Sequence, residues 1–577
     1  MVRIGPPLDS LSMATSQASP VETGEYTHRQ ILTILSGLML GMFLGALDQT
    51  IVSTSIRTIA DDLQGLSVQA WVTTAYLITA TVTTPIYGKL GDLYGRKKLF
   101  MFAISVFIAG SALCSVASSM YELAAFRAVQ GIGAGGLFTL VLAIIGDIVS
   151  PRERARYSGY FMAMFGTSSV LGPVIGGFLA GQEVLLGISG WRWVFLVNVP
   201  IGIAALFVVS RTLHIHPVRH GVIRIDWWGA VALVVGLVPL LIVAEQGREW
   251  GWDSARSVTA YVVGALGLVA FVLIERAMGE AALIPLKLFR IRAAAITITA
   301  SVIVGMAMFG GIMILPLYMQ IVHGASPTAS GFLMLPMVVG MMTGSIVAGR
   351  IISRTGRIRA FPIFGSALIV VGLLALSFTS ADTSLKVVAL PMVVLGLGLG
   401  NCMQPLLLIV QSAVPPSNIG VATSSATFFR QIGGTLGVAV FLSVLFSTVG
   451  GNIADHIRED SRTEAWQQVA HNADPGSLDG QVVASLAGRA GPDGGVLAKV
   501  QDDSSIIDQM HPVLAHPFKA GFADSMDQVF LFAALVGVLA FLVLLFMPKV
   551  ELRATSASVA ARAQAGGTPA APAERER

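Results

Sequence analysis

Charge is what this sequence has least of. Only 12% of its 577 residues are Asp, Glu, Lys or Arg, about half of what a soluble domain carries. Mean hydropathy is +0.75. Apolar runs long enough to cross a bilayer core as helices recur along the whole length, so a soluble globular fold is excluded. Cysteine is nearly absent. Cys114 and Cys402 both lie inside apolar runs, which argues against a disulfide framework and a cysteine metal centre. There is no GxxxxGK[ST] loop, no HExxH and no GxSxG in a strand–turn–helix setting, so neither nucleotide hydrolysis nor hydrolase chemistry is expected. No metal or organic cofactor is implied. Energy for any work would come from an ion gradient. The first 28 residues are polar and contain no apolar core of a signal peptide; the first apolar run is expected to do the targeting. A net charge of +4 does not point to nucleic acid, because the basic residues are spread over short gaps between apolar runs.

Fourteen spans are expected, at 31–53, 69–88, 99–119, 122–146, 157–180, 193–210, 227–245, 257–275, 294–318, 328–348, 360–379, 386–410, 419–448 and 527–547. Lys and Arg crowd the gaps after the even-numbered spans and are sparse after the odd-numbered ones. The positive-inside rule then places both termini in the cytoplasm of a multi-pass protein, expected in a bacterial cytoplasmic (inner) membrane. The lipid bilayer is its first partner.

The richest gap reads GKLGDLYGRKKLF, 88–100, and it has an echo. Shifted by 261 positions, Gly88, Gly95 and Arg96 meet Gly349, Gly356 and Arg357, and Gly172 and Gly176 meet Gly433 and Gly437. With a shift of 265, GIGAGG at 131–136 meets GLGLGN at 396–401. Three matches in order indicate two parallel six-helix halves, and transporters of that design bind substrate between their halves. The expected all-α plan is a tail at 1–30, a six-helix bundle at 31–212, a linker with helices 7 and 8 at 213–292 and helices 9–13 at 293–449. An extracytoplasmic insert at 450–524, a last helix at 525–548 and a tail at 549–577 complete it. The insert is acidic and rich in Gly and Asp, with one stretch suited to an amphipathic helix. It is expected to be a solvated linker, a cap over the exit, or a contact for an extracytoplasmic partner.

GKLGDLYGRKK resembles the signature between helices 2 and 3 of the major facilitator superfamily. LDQTIV (47–52), RAVQGIGAGG (127–136), GPVIGG (172–177), WRWVFLVNVPIG (191–202), LPLYMQ with GASPTASG (315–331) and FFRQIGG (428–434) resemble its fourteen-helix drug:proton antiporter family. The resemblance covers about 30–450 and the last helix. It departs from the family pattern after LDQT, where Ser53, Ser55 and Arg57 stand, and in the second loop, where Ser353 replaces the acid. The family implies proton-coupled export of amphipathic small molecules, that is, multidrug efflux. The alternative is export of a lipid or native metabolite by the same fold. A channel or sensor fits poorly with repeat symmetry.

The individual residues fit that chemistry. Asp48 is the one acid that the spans place well inside a helix of the first half, where an ionised carboxylate must face protein or water; it is the candidate proton carrier. Arg127 needs an anion when buried, and the resemblance associates it with proton relay. Gly88 and Gly95 permit close helix approach and a tight turn. Asp92 is suited to accept from the N-terminus of a facing helix or to pair with an arginine, and Arg96 stands in the same loop. These four residues form the candidate conformational latch. Gly172, Pro173, Gly176 and Gly177 give a kink and a smooth surface; the resemblance makes them the antiporter motif, and ordinary helix packing is the competing reading. Gln49, Gln130, Met306, Met313, Gln320 and Arg430 are the candidate substrate cavity, methionine being soft and adaptable. By these spans the second half has no acid deep in a helix, Phe309 standing where Asp48 would be.

Overall fold

A computed structural model describes residues 28–63, 69–213, 226–279, 281–415, 418–474, 476–486, 504–550 and 552. Most of the expected tails at 1–30 and 549–577, and most of the segment between the sixth and seventh spans, lie outside these residues. The helices are α1 His28–Asp62, α2 Gln69–Tyr94, α3 Arg96–Ser115, α4 Met120–Ile148, α5 Pro151–Ala180, α6 Arg192–Leu196, α7 Asn198–Thr212, α8 Trp227–Trp250, α9 Ala255–Met278 and α10 Arg292–Leu317. They continue with α11 Pro327–Leu333, α12 Leu335–Thr355, α13 Ala360–Leu376, α14 Leu385–Ala413, α15 Ile419–Asp460, α16 Glu464–Asn472, α17 Leu478–Leu486 and α18 Pro512–Leu545. The strands β1 Val184–Leu185 and β2 Ile188–Ser189 form a small antiparallel hairpin between α5 and α6.

A helix falls on each of the fourteen expected spans, but among the described residues twelve are long and apolar enough to cross a membrane. The shortfalls have two causes. α2 has the length but carries Thr73, Thr74, Thr79, Thr81, Thr83 and Thr84. α13 is apolar but has only 17 residues. The sixth expected span is broken at Val197. Pro200 lacks an amide hydrogen and fits most easily in a helix's first turn, where the new helix that starts at Asn198 places it.

The repeat is built as the glycine matches require. In the first half α1 packs on α5 and α7, α2 on α4, and α3 on α4 and α7. In the second half α10 packs on α15 and α18, α12 on α14, and α13 on α14 and α18. The two sets correspond element by element. A Cβ on Gly176 would come within 2.8 Å of the Ile51 carbonyl oxygen of α1, and one on Gly437 within 2.7 Å of the Met306 carbonyl oxygen of α10. These glycines let backbones touch, the packing mode open to helices in lipid, where no hydrophobic effect drives them together. Across the halves α5 meets α12 and α2 meets α15, again a symmetric pair. α8 and α9 pack on each other, and α8 leans on both α2 and α15, so the inserted pair flanks a seam between halves.

The region expected as an insert differs from expectation. α15 runs 42 residues, about 63 Å at 1.5 Å per residue, roughly twice a hydrocarbon core. α18 starts at Pro512, before the expected 525 boundary. The two extensions pair: Asn452 Nδ2 donates to Ser525 Oγ at 2.8 Å, and His456 Nε2 lies 2.7 Å from Asp524 Oδ2. Their polar side chains face each other, which is why helices continue where composition indicates a loop. α16 and α17 occupy part of the rest. Asp524 and Asp527 therefore stand well inside α18, and the expectation of no acid deep in a second-half helix falls.

Candidate functional site

Asp48 is fully buried on α1. Arg127 of α4, 1% exposed, donates from Nη1 to Asp48 Oδ2 at 2.6 Å. Asp48 Oδ1 accepts from Gln130 Nε2 at 2.8 Å and from Asn198 Nδ2 at 2.7 Å. Gln130 also bonds Ser111 Oγ of α3 at 2.7 Å, and its Oε1 accepts from Arg127 at 2.6 Å. The Arg127 guanidinium stacks 4.0 Å from the Tyr76 ring centroid and reaches the Val72 carbonyl at 3.4 Å, both on α2. Groups on five helices are thus joined in one network around this carboxylate, α4 and α7 touching it directly and α2 and α3 through Arg127 and Gln130. Three donors reach this carboxylate, from Arg127, Gln130 and Asn198, and hydrogen bonds to a charged group are the strong ones. Asn198 Oδ1 is buried without a hydrogen-bond partner.

The sequence pointed to Asp48 and Arg127, and the structure brings them together. Gln130, expected in the substrate cavity, is instead fully engaged inside this cluster. Asn198, Ser111 and Tyr76 were not singled out; the break before Asn198 at Pro200 was the available signal.

A second cluster lies at one end of the molecule. Gly88 and Asp92 are in the last turns of α2 and Arg96 opens α3, so the expected loop is the single residue Gly95, with φ +94°. Only glycine adopts that angle freely. A Cβ on Gly88 would collide with Ser424 of α15. Asp92 Oδ2 accepts the Val421 amide at 3.0 Å, in the first turn of α15, and Oδ1 accepts from Arg96 Nη2 at 2.7 Å. Asn418 makes no side-chain cap there; a carboxylate from the other half does that work, favoured by the helix dipole. Arg96 continues to Asp147 of α4 at 2.6 Å and to the Ala143 carbonyl. Nearby, Arg154 of α5 bonds Gln411 of α14 and the carbonyls of Gly146 and Val149. Gln411 in turn donates to Thr423 Oγ1 at 2.7 Å. Both expected partners of Asp92 are present. Asp147, Arg154 and Gln411 were not anticipated; Asp147 lies one residue past an expected span end.

Gly172 and Gly176 press on α1, with Ser55 Oγ donating to the Gly176 carbonyl at 3.2 Å. Pro173 packs near Gly331 of α11, and a Cβ on Gly177 would meet only Thr328 Oγ1, at 3.5 Å. The motif is therefore a contact surface to α1 on one side and to the other half on the other. The remaining cavity candidates are spread out. Gln49 is exposed, Met313 is 45% exposed, and Met306 is half-buried against Gly437. Gln320 reaches Ser330 Oγ at 3.5 Å, and Arg430 packs over Gly305. Met308, Met319, Met334, Met337 and Met341 are buried core residues. Glu275 is occupied by the amides of Leu283 and Ile284, each at 3.1 Å.

Residues 38–438 match the family model described as Major Facilitator Superfamily. The chain belongs to the major facilitator superfamily. It is 36% identical over 435 residues to the multidrug transporter protein MdtP of Bacillus subtilis, covering 75% of this chain and 78% of that one. It is 33% identical over 533 residues to multidrug resistance protein 3 of the same organism, covering 91% and 96%. Among solved structures, the proton:xylose symporter XylE aligns with a TM-score of 0.56 at 15% identity, over 91% of this chain and 97% of that one. The human organic anion transporter MFSD10 aligns with 0.55 at 14%, over 89% and 99%. These two likenesses establish the fold. This superfamily member is a multi-pass membrane transporter and not an enzyme.

Proposed function

We propose that this transporter is a proton-coupled antiporter that exports amphipathic small molecules, cationic or neutral, across a bacterial cytoplasmic membrane, with both termini in the cytoplasm. The observation that carries the reading is the buried Asp48 carboxylate held by Arg127, Gln130 and Asn198. The names of the Bacillus relatives support export of drugs.

Protonation of Asp48 cancels its attraction for Arg127 and removes one acceptor position. Asn198 can turn its amide and offer Oδ1 to the new O–H, since that atom has no other partner. Arg127 is then released toward the Tyr76 side of α2. A charge change at the meeting point of α1, α2, α3, α4 and α7 is thereby converted into a change in how they pack. The Asp92–Val421 contact, between α2 and α15, is the cytoplasmic closure that breaks when the protein opens inward. Substrate and proton alternate on the same bundle, which is the coupling an antiporter needs.

The test is dye export in everted vesicles driven by an imposed pH gradient. Uphill movement that collapses with the gradient is expected. Transport indifferent to the gradient contradicts the proposal. The paired extensions of α15 and α18 favour a second reading, export of a lipid or native metabolite with release assisted outside. Silence across a broad dye panel, with intact proton release on adding membrane lipid, selects it.

A further inference from the structure

Past the expected span ends, the extensions of α15 and α18 run antiparallel. Ile453, Ile457, Phe518 and Phe522 are buried along them, and a Cβ on Gly521 would come within 2.6 Å of the Ile453 amide nitrogen. The seam is therefore close-packed and apolar at its centre. Polar rungs flank it. Asn452 bonds Ser525, and two histidine–carboxylate pairs follow in reciprocal order. His456 of α15 meets Asp524 of α18 at 2.7 Å, and His516 of α18 meets Asp460 of α15 at 2.8 Å.

His516 has a second acid. Its Nδ1 faces Asp460 Oδ2, and its Nε2 lies 3.8 Å from Asp382 Oδ2, within ion-pair distance. Asp382 stands in the connection between α13 and α14. A neutral imidazole has one N–H and one bare nitrogen, and an ionised carboxylate only accepts. Neutral His516 therefore serves one of its two acids and turns a lone pair toward the other. The imidazolium answers both. With its proton, His516 ties the connection to α15 and α18; without it, two carboxylates flank a ring that can satisfy one. Contacts between half-exposed charges are individually weak, and His516 is 44% exposed, which suits a reversible contact. The apolar centre and the Asn452–Ser525 rung do not titrate, so the extensions stay paired while the connection is released.

We propose that His516 is a pH-operated clasp: protonated, it holds the α13–α14 connection to the paired extensions through Asp382 and Asp460, and neutral, it lets that connection go. Placing the clasp outside the cell rests on the proposed orientation; the clasp itself does not. The surrounding charges leave histidine as the switch. On α15, Asp455 and Arg458 pair with each other at 2.9 Å on the exposed side, and Glu459 is exposed. On α18, Lys519 is one turn from His516, and Asp527 accepts from Thr379 of the connection. Tyr318, at the end of α10, donates to the Ser380 carbonyl. Lys386 of α14 and Glu464 and His471 of α16 are exposed, and Asp479 accepts the His511 amide. Burial and, after it, Lys519 hold the pKa of His323 below its ordinary value, which favours its neutral form. Histidine is the side chain whose charge ordinarily changes between pH 5 and 8.

Spin labels on Ser384→Cys and Glu459→Cys, both exposed, read the distance between the connection and the α15 extension. Cys114 and Cys402 are buried and do not compete for label. The full chain in nanodiscs is measured at about pH 5.5 and about pH 8, either side of histidine's ordinary pKa of about 6.5, without gradient or substrate. The distance should be short and single at the lower pH and longer or broader at the higher. His516→Gln should show the high-pH distribution at both values. His516→Lys, a cation throughout this range, should show the short one at both. His456→Gln and Asp527→Asn should keep the response, since neither side chain bridges to Asp382. A wild-type distance that ignores pH overturns the clasp, and so does a response that survives in His516→Gln or His516→Lys. Loss of the response in His456→Gln or Asp527→Asn overturns its assignment to His516. No readout measures proton or drug movement, so failure here and failure of the antiporter reading are separable.

Discussion

The two halves share a skeleton and differ in what they bury. Gly131, Gly133 and Gly135 on α4 correspond to Gly396, Gly398 and Gly400 on α14, and in both sets a Cβ would strike the neighbouring helix's backbone. In the same register Arg127 corresponds to Met392 and Gln130 to Leu395, both buried. The position matching Asp48 is Phe309. One half holds an ion pair inside an amide network; the other fills the equivalent space with apolar side chains. On the proposed function, features common to both halves serve the fold, and features found in one serve coupling. The same reading applies at the surface, where Asp92 meets Ser353.

The largest expected effect separates these classes directly. Asp48→Asn should bring proton-driven export to background at matched membrane levels, whereas Phe309→Leu should retain most of it. Everted-vesicle transport at equal expression checks both. Comparable loss in the two variants would break the asymmetry.

Next come the shared glycines. Gly176→Val and Gly437→Val should damage both halves alike, because overpacking typically costs about 1–3 kcal/mol. A similar fall in melting temperature is expected for the two. A fall in only one would mean that the halves are not packed equivalently.

A smaller effect is expected at the seam. Asp92→Asn removes a charged cap worth roughly 1 kcal/mol, enough to shift a balanced closed state several-fold. Cysteines placed at the α2 and α15 ends should label several-fold faster, and Ser353→Ala should change nothing. Lost transport with unaltered labelling would assign Asp92 another role.

The smallest effect sharpens the stoichiometry. Asp527 is half-buried within α18 and accepts from Thr379 Oγ1 at 3.4 Å. If Asp48 alone carries the proton, Asp527→Asn keeps coupling, and monovalent cations are exported better than divalent ones. Export of a divalent dye that depends on Asp527 would make it a second carrier.

How far the sequence could be read follows from the same contrast. Asp48 and Arg127 were legible because a charge in an apolar run is costly and must be answered. The glycine matches were legible because backbone contact tolerates no side chain, so the repeat and the helix pairs could be inferred. Asn198 and Ser111 were not, because neutral polar residues are cheap in a helix and their value comes from neighbours on other helices: Asn198 of α7 meets Asp48 of α1, and Ser111 of α3 meets Gln130 of α4. Asp147 escaped by lying just past an expected boundary. The ends of α15 and α18 were misread because hydropathy reports fitness for lipid, and these segments satisfy their polar groups on each other.

The central claim is that Asp48 carries the coupled proton. Purified transporter in weakly buffered detergent, with a pH-sensitive dye, reports protons released when substrate is added. Wild type should release about one proton per molecule, the capacity of a single carboxylate, and Asp48→Asn should release none while still binding substrate. Undiminished release from Asp48→Asn would contradict the account.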